Sequence, residues 1–151
     1  MHQFDLKNRT AIITGGAQGF GLDIAKRFLK SGAKAIIWDI DEVELKKATK
    51  EVNDPNLLYN VVDVSSFKNV KETVDEIAKS SNIDILINNA GITGSTSSLW
   101  DYDVDEWNKI VQINLMGTFN CCKCVVPYMI KNDYGRIVNV ASVAGKDGNA
   151  N

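Results

Sequence analysis

The sequence is 151 residues long, 44% apolar and 24% charged, with a net charge of -2. That length accommodates one domain with a proper core, and the composition is that of an ordinary soluble globular chain. Scattered basic residues give no footing for nucleic acid, no apolar run is long enough to span a bilayer, and MHQFDLKNRT lacks the apolar stretch of a secretion signal, so a cytoplasmic address is expected.

The first strand is TAIIT (10–14), followed at once by the glycine-rich stretch TGGAQGFG (14–21). A helix follows, with Ile24, Ala25, Phe28 and Leu29 in one stripe, Lys26, Arg27 and Lys30 outside it and Gly32 as its stop. KAIIWD (34–39) is the second strand, and the charged segment from Asp41 to Val52 is a weakly amphipathic helix. NLLYNVVD (56–63) is the third strand, Val70, Val74, Ile77 and Ala78 mark the next helix, and IDILIN (83–88) is the fourth strand. A long helix over 104–131 opens with Asp103 and Glu106 in capping-box spacing. Its predicted inward face is Trp107, Ile110, Val111, Asn114, Thr118, Cys122, Val125 and Met129, and Pro127 should bend or loosen its last turns. GRIVNV (135–140) closes the series as the fifth strand. Cys121, Cys122 and Cys124 read as buried thiols on a helix, because the only histidine, His2, lies far away and a tetrahedral metal site lacks ligands.

Strand and helix alternating in this way predict an α/β chain, a three-layer Rossmann-type doubly wound parallel sheet of order 3-2-1-4-5. Ligands of such sheets bind outside the carboxyl ends of the strands, at the switch point between strands one and four. The small and polar residues fall there each time: Thr14-Gly15, Asp39, Asp63, Asn88-Asn89-Ala90-Gly91 and Ala141-Ser142. The glycines are spaced G-x-x-x-G-x-G, outside the usual dinucleotide fingerprint, and no Gly-Lys-Ser/Thr follows to make a P-loop. Gly15 allows the tight turn, Gly19 a close backbone approach to a pyrophosphate and Gly21 close packing of helix on strand. Gln18 and Phe20 lie between them and complete the predicted cradle. Asp39 follows the last glycine by eighteen residues, near where an acid meets ribose hydroxyls; it also repels a 2′-phosphate, which favours NAD over NADP. Asn114 reads either as a functional amide or as a tie between its helix and the strand-four loop, and Ser142 as a functional or an ordinary turn serine.

Together, TGGAQGFG, Asp39, Asp63-Val64, NNAG (88–91), Asn114 and GRIVNVAS ending in Ser142 resemble the short-chain dehydrogenase/reductases of the classical type. Within it the chain resembles NAD-dependent sugar or polyol dehydrogenases and 3-oxoacyl-(acyl-carrier-protein) reductases. The resemblance implies a nicotinamide cofactor, a small-molecule substrate, hydride exchange with a secondary alcohol or ketone, and a homotetramer or homodimer. It implies that Gly15, Gly19 and Gly21 hold the pyrophosphate, Asp39 the adenosine ribose, and Asp63 and Val64 the adenine. Asn89 to Gly91 would support the cofactor, Ser142 would polarise the substrate oxygen, and Asn114 would help hold a proton relay. The family's Tyr-x-x-x-Lys pair has no counterpart here: four residues after Tyr59, Tyr102, Tyr128 and Tyr134 stand Asp63, Glu106, Asn132 and Val138. Residues 1–151 are therefore expected to be the dinucleotide-binding part of a single longer dehydrogenase domain, truncated after the fifth strand and inactive alone. The alternative is a non-catalytic NAD-binding module that acts through a protein partner.

Overall fold

The computed structural model describes residues 5–147, so His2 and Asn151 lie outside it. Five strands, β1 (Thr10–Thr14), β2 (Lys34–Asp39), β3 (Leu57–Val61), β4 (Ile85–Asn88) and β5 (Arg136–Asn139), form one parallel sheet in the order β3-β2-β1-β4-β5. This is the predicted topology. The strands are shorter than the apolar runs that signalled them, because Val62, Ile83 and Val140 pack beside the sheet or bond to its ends without extending a ladder.

Successive side chains of a strand point to opposite faces, so one register serves two cores. Ile12 stands between Ile36 and Leu86, and with Trp38 these side chains pack under Val70 and Val74 of α3 (Phe67–Ala78) and Cys121 and Val125 of α5 (Gly117–Lys131). Ile13 stands between Ile37 and Ile87, and this face packs under Ala25 of α1 (Gly19–Lys30) and Leu45 and Ala48 of α2 (Glu42–Val52). Coverage on both faces explains why β1 and β4 are buried throughout and carry almost no polar break. At the amino ends of the strands the buried Asp84 carboxylate accepts from the Thr10 amide and the Arg9 guanidinium, each at 2.9 Å, and Arg9 lies 3.5 Å over the Tyr134 ring. β3 and β5 are the sheet edges, and all four residues of β5 are exposed.

The long helix departs from expectation. It consists of α4 (Val104–Val111), a π turn (Gln112–Met116) and α5. A π turn inserts one residue, which advances the helical phase by about 100°. The apolar stripe drawn for a single uninterrupted helix therefore does not map onto one buried face. Trp107 is 53% exposed, Asn114 is exposed, and Thr118 and Cys122 are half-buried. The buried residues of α5 are instead Gly117, Asn120, Cys121, Cys124, Val125 and Met129. Pro127 is exposed and does not end the helix, which runs on to Lys131. Among the described residues no helix is long and apolar enough to cross a membrane.

Candidate functional site

A cleft of about 330 Å3 opens at the carboxyl ends of β1, β2, β3 and β4, where the chain leaves β1 for one side of the sheet and β4 for the other. Of the residues singled out from the sequence, it brings together Gly15, Gln18, Asp39, Asp63, Val64, Asn89 and Gly91. Gly19, Phe20, Gly21, Asn114 and Ser142 do not line it.

The glycine turn forms the cleft's inner lip. Gly15 has φ +62° and Gly19 φ +54°, left-handed backbone that side chains with a Cβ rarely adopt. They differ in what surrounds them. A Cβ on Gly15 would lie 2.9 Å from Ala90 Cα, whereas a Cβ on Gly19 would meet nothing within 4 Å. Gly21 is packed hardest, since a Cβ there would fall 2.1 Å from the Gly15 carbonyl oxygen. The turn delivers the chain into α1, whose N-cap residue Gln18 makes no side-chain cap and whose first turn holds no acid. Elsewhere Asp41, Ser66 and Asp103 cap α2, α3 and α4 with their own side chains. The amide donors at the start of α1 are thus left open beside a turn with free space at Gly19, a favourable setting for an anion. Phe20 is 80% exposed at the same turn.

The lip is held by residues from the other half of the chain. Thr14 Oγ1 accepts from the amides of Asn89 and Ala90, each at 3.0 Å. The Asn89 side-chain amide donates to the carbonyls of Thr14 and Gly15, also at 3.0 Å. Asn89 therefore braces the turn from below. Neither Thr14 as a brace nor Gly16, where a Cβ would sit 2.6 Å from Ile37 Cβ, was singled out from sequence. The signal for Thr14 was a hydroxyl ending a wholly buried strand, and such a group must be bonded.

The outer wall is acidic and apolar by turns. The Asp39 carboxylate accepts from the amides of Ala17 and Asp41 at 3.3 and 3.2 Å. Asp63 Oδ1 accepts from the amide and hydroxyl of Ser65, and the Asp63 amide donates to Asn69 Oδ1 at 2.8 Å. Val64 is buried next to it.

On the β4 side, Asn114 lies within the π turn. Its Oδ1 accepts from the Ile92 amide and its Nδ2 donates to the Ile92 carbonyl, both at 2.9 Å. Both ends of the side chain thus tie the helix to the loop that lines the cleft. Ser142 is exposed beyond β5, and its hydroxyl accepts from the Ala144 amide at 3.2 Å. The cysteines stand apart. Burial pushes the Cys121 thiol up to about 12, and no metal-ligating cluster occurs among the described residues.

With this geometry, residues 9–151 match the family described as short chain dehydrogenase. The chain belongs to the short-chain dehydrogenase family. It is 42% identical over 144 residues to the 2-dehydro-3-deoxy-L-rhamnonate dehydrogenase (NAD(+)) of Sphingomonas sp., covering 95% of this chain and 57% of that protein. It is 40% identical over 150 residues to a 3-oxoacyl-(acyl-carrier-protein) reductase of Thermotoga maritima, covering 95% of this chain and 59% of that protein. Among solved structures, NAD+-bound xylitol dehydrogenase superposes with a TM-score of 0.92 at 34% identity, covering 97% of this chain and 57% of that one. Actinorhodin polyketide ketoreductase with NADPH superposes with a TM-score of 0.88 at 31% identity, covering 93% of this chain and 56% of that one. The chain thus spans somewhat more than half the length of these relatives.

Proposed function

We propose that residues 1–151 are the dinucleotide-binding part of a longer NAD-dependent dehydrogenase that exchanges a hydride with a secondary alcohol or ketone. The observation that carries this reading is the open amino end of α1 over a glycine turn with free space at Gly19, flanked at one strand's width by the Asp39 carboxylate. The donors of the α1 amino end and the carboxylate at the end of β2 suit the pyrophosphate and ribose of a dinucleotide. Amide donors at Gly19 to Gly21 would hold the pyrophosphate, with Gln18 and Phe20 framing the approach. Asp39, at the end of β2, would accept from the adenosine ribose hydroxyls. Because β3 lies beyond β2, the adenine end would rest on Asp63 and Val64. The nicotinamide end would lie toward β4, near Asn89 to Gly91. When bound, the nicotinamide supplies or takes up the hydride.

For the reaction itself, the Ser142 hydroxyl would hold the substrate oxygen. The Asn114 amide is already committed to Ile92, so any part in a proton relay falls to its main-chain carbonyl, which accepts from Thr118 Oγ1 at 3.0 Å. None of the tyrosines is followed by lysine four residues later, so this stretch alone is expected to bind cofactor without turnover. The substrate class is a sugar-derived, hydroxyacid or 3-oxoacyl compound, in line with what the relatives are named for. We place the protein in the cytoplasm, in keeping with three free thiols, and as a homotetramer or homodimer, in keeping with exposed Trp107, Leu115 and Phe119 along α4, the π turn and α5.

Asp39 provides the test. Repulsion between its carboxylate and a 2′-phosphate about 4 Å away is on the order of 1–4 kcal/mol, about fivefold or more in affinity. Asp39→Ala should lower the ratio of NADP to NAD dissociation constants by at least that factor; an unchanged ratio removes the assignment.

A further inference from the structure

The outer wall of the cleft is not self-supporting. After Val61 the chain leaves the sheet, and residues 62–66 cross to α3 without a strand partner of their own beyond the bond from the Val62 amide to the Asp39 carbonyl. Within this crossing Asp63 organises Ser65, and Asn69 takes the Asp63 amide. The carbonyls of Val64 and Ser65 face the other way, into the sheet–helix interface. One side chain serves both. Asn120 of α5, buried to 4% exposure, donates its amide to the Val64 oxygen at 3.0 Å and to the Ser65 oxygen at 3.2 Å. One helical turn earlier, Gly117 lets the helix backbone come up under Val64: a Cβ there would lie 2.8 Å from Val64 Cγ2.

We infer that Asn120 is a positioning residue for the adenosine end of the cofactor, fixing the height of the Asp63–Val64 wall over the cleft. The inference rests on the proposed reading of the cleft. Its physical basis is that a buried and a half-buried carbonyl share one donor, and a single amide with two N–H groups at fixed separation sets both at once. Without it, each carbonyl must turn toward water, and Val64 turns with it. The nicotinamide end is braced separately, by Asn89 and Asn114.

The experiment titrates the full-length protein with ADP-ribose and with nicotinamide mononucleotide by calorimetry, in the wild type and in Asn120→Leu, which keeps the bulk and removes the donor. ADP-ribose should bind about tenfold more weakly to the variant, the cost of one buried polar group left unpaired, while nicotinamide mononucleotide binds within about twofold of wild type. Should Asn120→Leu not fold, Gly117→Ala presses on the same wall from beneath and should lose ADP-ribose affinity selectively. Equal loss of both ligands, or unchanged ADP-ribose affinity in a folded variant, overturns the inference and leaves Asn120 a plain structural tie. Wild-type protein that binds neither ADP-ribose nor NAD overturns the underlying reading of the cleft and this inference with it.

Discussion

Gly21 offers a test in which two physical effects predict opposite signs. It lies inside α1, where replacing glycine by alanine ordinarily stabilises a helix by up to about 1 kcal/mol. Here the added Cβ would stand 2.1 Å from the Gly15 carbonyl oxygen and 2.8 Å from Asn89 Nδ2. Both are atoms that cannot simply swing aside. The oxygen belongs to a backbone turn already held at φ +62°, and the amide nitrogen bonds Thr14 and Gly15. Relieving the overlap means shifting α1 away from β1 or giving up the Asn89 bonds. Overpacking of this kind costs about 1–3 kcal/mol, and each bond surrendered about 1 kcal/mol more. Set against the helix gain, Gly21→Ala should destabilise by about 2 kcal/mol. For a chain of this size that lowers Tm by about 4–8 °C. Thermal unfolding followed by circular dichroism reads the effect directly. A Tm that rises, as helix propensity alone requires, would refute the packing argument. Gly19→Ala is the control: with nothing within 4 Å, it should lose only about 1 kcal/mol for its left-handed backbone while weakening NAD binding more than stability.

Other expectations concern regions away from the cleft. Asp84→Ala strips the buried partner from Arg9 and from the Thr10 amide, and should cost about 2–3 kcal/mol, seen as a lower urea midpoint at unchanged slope; an unmoved midpoint would show the clasp to be dispensable. On the α3–α5 face, Asp75 takes hydrogen bonds first from Lys71 and then from Tyr128, which hold its carboxyl below the ordinary value. A lowered carboxyl in the folded state contributes stability above its unfolded pKa and loses it as pH falls through the depressed one. Asp75→Asn should therefore flatten the acid limb of the stability–pH curve, and superimposable curves would count against the network.

The sheet was legible because its signal is redundant. β1, β2 and β4 are short runs rich in isoleucine, covered on both faces, and each ends in a residue unlike the run before it: Thr14, Asp39 and Asn88. A parallel sheet turns that pattern into a place, since all those ends emerge on one side. The glycine spacing was equally informative, because Gly15, Gly19 and Gly21 occupy three different steric environments that only glycine satisfies in two of them. The long helix was misread for a definite reason. Periodicity assumes a constant angle per residue, and the π turn over Gln112–Met116 breaks it without any proline or glycine inside the turn to give warning. Long-range polar contacts were hidden as well. Nothing local in the sequence indicates that Asn120 belongs with Val64, or that the Asn89 amide reaches back to Thr14, since their partners lie 56 and 75 positions away.

That last separation bears on how the protein acquires its cleft. The stretch TGGAQGFG looks like a self-contained loop, yet its shape depends on Asn89 and Ala90, which arrive only when β4 docks beside β1. During synthesis the cradle cannot exist until the central pair has closed, a contact of high sequence separation of the kind that slows folding. A nucleotide would then find no partial site on the unfolded chain or on an isolated amino-terminal peptide. All of its binding free energy would fall on the side of the folded state, so that ligand concentration sets stability without a competing term from the denatured chain.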